Sequence, residues 1–244
     1  MRNYTLEVCS GSALDVIQAD KGGADRAELC SNLFQGGLTP TIGNLKVAQA
    51  ETKDIKIMCM VRPREGGFNY TDAEFKVALE DAKELVKNGA DGLVCGFLHA
   101  DGTVDIERTK KIIEIADGRE VCFHRAFDVV PDWKEAMDQL IDLGVDRILT
   151  SGQEANVLLA LDTVKEMVDY ADGRITIMPG AGITPKTAQK VIDYTGAKQM
   201  HVYFTENYHD TSTHNQRDIY YGSALYPSED TYPVIDPEQI ARLK

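Results

Sequence analysis

Short apolar runs recur along the chain, and each is followed by a stretch whose apolar residues fall at three- and four-residue spacing. The first pattern suits a buried strand and the second an amphipathic helix. A weak internal repeat marks the transitions. Gly23-Ala24-Asp25, Gly89-Ala90-Asp91, Gly144-Val145-Asp146 and Gly196-Ala197-Lys198 each precede an apolar run. A glycine there suits the left-handed residue that ends a helix, and the run after it suits a strand covered on both faces. A second phrase, Ala-Asp-Gly-Arg at 116–119 and again at 171–174, introduces Val121-Cys122-Phe123-His124 and Ile175-Thr176-Ile177-Met178. With Leu6–Cys9 and Ile55–Val61, eight strands result.

Helical patterns fill the gaps at Asp72–Lys87, Asp105–Ala116, Trp133–Leu143, Asn156–Tyr170 and Pro185–Tyr194. The last opens on Thr184-Pro185, a capping residue followed by proline at the first helical position. Strands that alternate with helices form parallel βαβ units. Eight of them in 244 residues predict a (β/α)8 TIM barrel, α/β in class, with residues 1–244 as one domain. A doubly wound open sheet is the alternative, but no phosphate-binding fingerprint follows strand 1.

Helices cover the outside of such a barrel, so the apolar face of each strand points outward and the other face inward. Leu6, Val8, Ala27, Leu29, Ile57, Cys59 and Val61 then face the helices. Glu7, Cys9, Glu28, Cys30, Met58, Met60, Arg62 and Arg64 face the interior and its rim. In strand 5 the inward set is Cys122, His124, Ala126 and Asp128, with Val121, Phe123 and Arg125 on the other face; in strand 8 the inward residues are His201 and Tyr203. Unpaired buried charge is costly. These groups must therefore pair with one another, hold a ligand, or sit at the open C-terminal end of the barrel, where such folds keep their sites.

Composition narrows the partners. The formal net charge is -13, and no basic cluster appears. This disfavours nucleic acid and anionic membrane surfaces as partners. No apolar run approaches a membrane span or a secretion signal. Five widely spaced cysteines, an odd number, read as reduced thiols in the cytosol. Oligomeric state is not readable, and a homo-oligomer is allowed. The segment 206–229, rich in His, Asp, Tyr and Ser, is expected to form a long loop over the barrel top or a contact segment.

Two chemistries compete for the mouth. Glu7, Glu28, His124 and Asp128 are candidate acid–base groups. Arg62, Arg64 and His201 are candidate ligands for a small anion, together with Thr150-Ser151-Gly152 after strand 6 and Gly180 and Gly182 after strand 7. Gly-rich turns near helix N-termini cradle phosphate in many barrels. That reading is an enzyme for a phosphorylated or carboxylated metabolite. Cys9 and Cys30, by contrast, lie on neighbouring strands and face the same site. Paired thiolates are soft ligands that favour Cu(I). No closely spaced Cys or His pair of the zinc-knuckle type is present.

At these residues the sequence resembles the CutC family. The resemblance runs nearly the whole chain. It rests on Leu6-Glu7-Val8-Cys9, Gly22-Gly23-Ala24-Asp25-Arg26-Ala27-Glu28-Leu29-Cys30-Ser31 and Gly36-Gly37-Leu38-Thr39-Pro40. Further matches are Arg62-Pro63-Arg64, Phe123-His124-Arg125-Ala126-Phe127-Asp128 and Ile148-Leu149-Thr150-Ser151-Gly152. Ala181 stands where the family's usual triple glycine has its middle member. The resemblance implies a TIM barrel, a role in cytoplasmic copper homeostasis, and Cys9 and Cys30 as ligands of Cu(I).

Overall fold

The structure is a computed structural model, which describes residues 2–213, 215 and 231–243. Strands and helices alternate from the start: β1 (Thr5–Ser10), α1 (Ala13–Gly22), β2 (Arg26–Leu29), α2 (Ile42–Glu51), β3 (Lys56–Met60), α3 (Asp72–Lys87), β4 (Gly92–Cys95) and α4 (Ile106–Ala116). The second half continues with β5 (Glu120–Phe123), α5 (Trp133–Leu143), β6 (Arg147–Thr150), α6 (Leu161–Ala171), β7 (Thr176–Pro179), α7 (Ala188–Thr195) and β8 (Gln199–Val202). All eight strands lie parallel in one sheet, in the order β7-β6-β5-β4-β3-β2-β1-β8. β7 and β8 pack side by side and bring the sheet to near closure. The expected barrel is the observed one.

Local sequence explains the element ends. Thr71 and Glu74 form a reciprocal capping box at the start of α3, and Gly23 and Gly144 end α1 and α5 in the left-handed conformation. The alternation along the strands sorts the core into two layers. The larger lies between sheet and helices and includes Leu6, Val8, Leu29, Ile57, Cys59, Leu93, Cys95, Phe123 and Met200. The smaller fills the barrel interior with Cys30, Met58, Met60, Val94, Cys122, Leu149 and Met178. Five of these seven carry sulfur atoms in flexible or small side chains, which suit an irregular space beside charged groups.

Three elements depart from expectation. α7 begins at Ala188 rather than Pro185, because Thr184 and Thr187 close a turn on each other through their side chains and backbone. The stretch expected as one helix from Asn156 divides into a 3-10 turn at Val157–Leu159, capped by Asn156, and α6. After β5 the alternation stops, since His124 caps a 3-10 turn over Arg125–Val129. Beyond the barrel, β9 (Thr205–His209) and β10 (Thr231–Ile235) form an antiparallel ribbon, followed by α8 (Pro237–Ala241). The first residues of the expected 206–229 loop therefore belong to a strand; residues 214 and 216–229 lie outside the described residues.

Candidate metal and ligand site at the barrel mouth

Strand register sets the floor of the site. Glu7 on β1 lies opposite Arg26 on β2 and opposite His201 on β8. The three side chains join accordingly: Arg26 Nε donates to Glu7 Oε2, and His201 Nδ1 lies 2.8 Å from Glu7 Oε1. Glu7 is fully buried. Burial alone would raise its pKa, but the His201 hydrogen bond and the Arg26 charge outweigh it and lower the carboxyl to about 2. Lower still, Arg147 is buried and reaches Glu120 at the start of β5.

Two residues further up, Cys9 pairs in register with Glu28, and Cys30 lies just beyond β2. The sulfurs of Cys9 and Cys30 and a Glu28 carboxylate oxygen all lie within 4.8 Å of one another; so do one ligand atom each of Glu7, Glu28 and His201. Glu28 thus links two groups of potential metal ligands. Burial, reinforced by Cys9 and Glu7 against the pull of His201, raises the Glu28 carboxyl to about 8. His201 is held well above the usual imidazole value, since Glu28, Cys9 and Glu7 overcome the effect of burial. The Cys9 thiol is lowered to about 5, first by the hydrogen bond from Cys30, which outweighs burial, and further by His201. Cys30 is raised correspondingly by that same hydrogen bond and by burial. The Cys9 thiol, beside a readily protonated imidazole, is thus disposed to ionise, while the Cys30 thiol keeps its proton.

Above the thiols opens a cavity of about 500 Å³ at the strands' C-terminal ends. Cys9, Glu28, Arg62, His124, Gly182 and His201 line it among the expected site residues. The backbone N–H of Ala126 donates to His124 Nδ1 at 3.1 Å, so the neutral ring carries its proton on Nε2. Burial and the neighbouring Arg62 lower the His124 pKa to about 3 and keep the ring neutral. Gly96 makes room for it: a Cβ there would lie 2.4 Å from the imidazole Cε1. The Arg62 guanidinium is fixed by the carbonyls of Gln35, Gly37 and Gly66, each at 2.9 Å.

Other expected site residues are placed elsewhere. Arg64 does not reach the mouth. β3 ends at Met60, and Arg64 instead turns onto Glu74, the carbonyls of Glu65, Gly67 and Asn69, and the ring of Tyr70. Asp128 also lies off the cavity wall, carried by the 3-10 turn toward β6. There it accepts from the Ser151 N–H and hydroxyl, the Gln153 N–H and Arg125 Nε. The Thr150-Ser151-Gly152 turn is consequently filled by the protein's own carboxylate, and the Gly152 N–H is taken by Thr150 Oγ1. Gly180 is bound to the Thr150 carbonyl and sits against Leu149 and His201. Gly182 needs to be glycine twice over: its φ is +77°, and a Cβ would fall 2.1 Å from Asn156.

Three arginines escaped the sequence reading. Arg26 shares the inward phase of Glu28, and Arg147 that of Leu149, so the alternation that revealed the glutamates held the signal for both. Arg125, assigned to the outer face, lines the cavity because the strand ends before it.

A parallel eight-stranded barrel with thiol, carboxylate and imidazole groups converging at its C-terminal mouth defines a TIM-barrel protein. The sequence profile of the CutC family matches residues 4–206, and the chain belongs to the CutC family. A CutC family protein of Treponema denticola is 49% identical over 243 residues, covering 100% of this chain and 98% of its own length. The human copper homeostasis protein cutC homolog is 37% identical over 240 residues, covering 98% of this chain and 88% of its own. Among solved structures, a CutC described as a copper homeostasis protein, from Streptococcus agalactiae, superposes with a TM-score of 0.78 at 37% identity, covering 81% of this chain and 97% of its own. The aldolase QR15, at 20% identity and a TM-score of 0.61, shares the fold alone. Among the described residues no helix is long and apolar enough to cross a membrane.

Proposed function

We propose that this chain takes part in copper homeostasis by binding Cu(I) through Cys9 and Cys30. The observation that carries the reading is the approach of the two sulfurs and a Glu28 oxygen to within 4.8 Å of one another, with Cys9 and Glu28 on the cavity wall and Cys30 buried behind it. Soft thiolates suit Cu(I), whereas the nearby carboxylates and imidazole alone would suit harder or borderline ions. The names of the human and streptococcal relatives point the same way. The thiols must stay reduced to serve, so the reading carries a cytoplasmic location. Copper here is cargo, and the accessible edge of Cys9 gives it an entry from the cavity.

The test is Cu(I) uptake under anaerobic, reducing conditions against a chromogenic competitor. Wild type is expected to hold about one ion per chain, as a single two-thiol site implies. Cys9→Ser/Cys30→Ser is expected to lose it while keeping the wild-type circular dichroism. Equal uptake by both proteins refutes the assignment.

A further inference from the structure

Besides the thiol, the cavity is furnished with hydrogen-bond donors that nothing among the described residues uses. His124 Nε2 is buried, lies on the cavity wall and has no partner among the described residues. Its proton is assigned by the Ala126 N–H on the other nitrogen, so it is a donor awaiting an acceptor. Ala181, Gly182 and Ile183 also line the cavity, and among the described residues none of their backbone N–H groups is hydrogen-bonded. Ala181 and Gly182 both stand at positive φ, +72° and +77°. Such a conformation is unfavourable for alanine and is kept where the surroundings demand it. Arg125, also on the wall, spends Nε and one terminal nitrogen on Asp128, Ser151 and the Glu154 carbonyl, and leaves Nη1 without a partner among the described residues. Arg62 adds a fixed positive charge. Leu33, Met60 and Leu149 supply an apolar wall beside these groups.

We propose that this region binds a small organic oxyanion, a carboxylate or phosphate head on a short carbon body. The head would sit against His124 Nε2, Arg125 and the amides of Ala181–Ile183, with its carbon body along Leu33, Met60 and Leu149. Neutral and cationic donors without acceptors suit an anion's oxygens, and none of them offers a lone pair to a cation. The Thr150–Gly152 turn next door illustrates the same chemistry, since Asp128 fills it with a carboxylate. The site is separate in residues from the thiol pair and does not rest on the copper reading. It shares one cavity with it, so a bound anion would lie beside a bound cation.

The test is titration of isotopically labelled wild-type protein, followed by amide NMR. The probes are phosphoglycolate, succinate and inorganic phosphate, with sodium chloride as control. Saturable shifts of the Ala181, Gly182 and Ile183 amides with phosphoglycolate or succinate support the site, and which of the two binds tells a phosphate head from a carboxylate head. Inorganic phosphate, lacking the carbon body, is expected to bind more weakly. His124→Phe keeps the ring and removes the donor, and is expected to weaken binding about tenfold, the scale of one hydrogen bond to a charged group. Absence of saturable shifts at these three amides with every probe overturns the proposal, whether or not the variant folds. So does unchanged affinity in a folded His124→Phe protein. Cu(I) uptake, read on the same wild-type sample, reports on the cysteine pair alone and keeps the two readings apart.

Discussion

Replacing Glu7 by Gln in the metal-free protein is expected to remove about 3 kcal/mol of stability at neutral pH. Glu7 is fully buried and is the acceptor for both Arg26 and His201. Glutamine has nearly the same shape, but it removes the charge and points a donor at one of two groups that are themselves donors. Among the described residues, Arg26 would then keep only the Gln199 side-chain oxygen Oε1 and the weak Met178 sulfur as partners. Breaking one side of a buried ion pair costs about 3–5 kcal/mol. Proton linkage gives a second route to the size. The Glu7 carboxyl falls from its ordinary 4.5 to about 2 on folding. At about 1.4 kcal/mol for each pH unit, that difference is worth about 3 kcal/mol. A carboxyl with a lowered folded pKa stabilises above its unfolded value, and that stability is lost as pH falls from 4.5 toward about 2. The assay is urea unfolding followed by circular dichroism, at neutral pH and at several points below pH 5. Wild type is expected to lose stability through that window, and Glu7→Gln to lose less of it. With a total stability of about 5–15 kcal/mol, the variant is expected to be weakened yet folded. A loss under about 1 kcal/mol at neutral pH, or superimposable acid profiles for the two proteins, would refute the reasoning.

Glu28→Gln is expected to act in the opposite sense, because burial raises this carboxyl to about 8 and the folded protein holds a proton there that the unfolded chain releases. Wild-type stability should fall as pH rises from 4.5 to about 8, and the variant should be as stable as wild type near pH 5 but more stable at pH 8, read by thermal unfolding of metal-free protein. Gly96→Ala is expected to cost about 1–3 kcal/mol, because the new methyl would stand 2.4 Å from the His124 ring and 2.8 Å from the Ala126 methyl, both in a packed wall; urea unfolding equal to wild type would contradict this.

The sequence was most informative where strands run straight. Alternation alone placed Ile57 and Cys59 among the outer core and Cys122, Met58 and Met60 inside, as observed. It also carried Glu7, Cys9, Glu28 and His201 to one mouth. It failed past the ends of β3 and β5, at Arg64, Arg125 and Asp128, where a period of two no longer describes the backbone. Arg64 follows β3 by four residues and folds back on Glu74; Arg125 and Asp128 follow β5 and belong to a 3-10 turn. A His that caps such a turn accepts the Ala126 N–H, and nothing in the strand pattern announces that. The overlooked arginines have a different cause. Arg26 and Arg147 open their strands, at the deep end of the barrel, and their importance comes from the carboxylates they meet across the ladder rather than from any chemistry of their own.

That placement bears on why a chain of net charge -13 keeps acids inside its barrel. Two carboxylates on adjacent strands would repel each other in a low-dielectric interior. The ladder separates their fates. Glu7 is held ionised between Arg26 and His201, while Glu28, one step nearer the mouth, has no arginine bonded to it among the described residues and tends to stay protonated. The charged floor orients His201 by one nitrogen, and His201 turns its other nitrogen toward Glu28 at 3.8 Å. Both thiols sit at this upper level, on or next to strand ends rather than on long loops, so their spacing is set by sheet register. For the proposed Cu(I), a ligand set fixed in this way would require little ordering, which favours affinity. The donor-rich side of the cavity is built differently, from a histidine cap and a left-handed loop braced by Asn156. Substitutions in the ladder should therefore disturb thiol spacing and global stability together, whereas substitutions in the loop should alter the cavity's outer wall with less effect on the barrel.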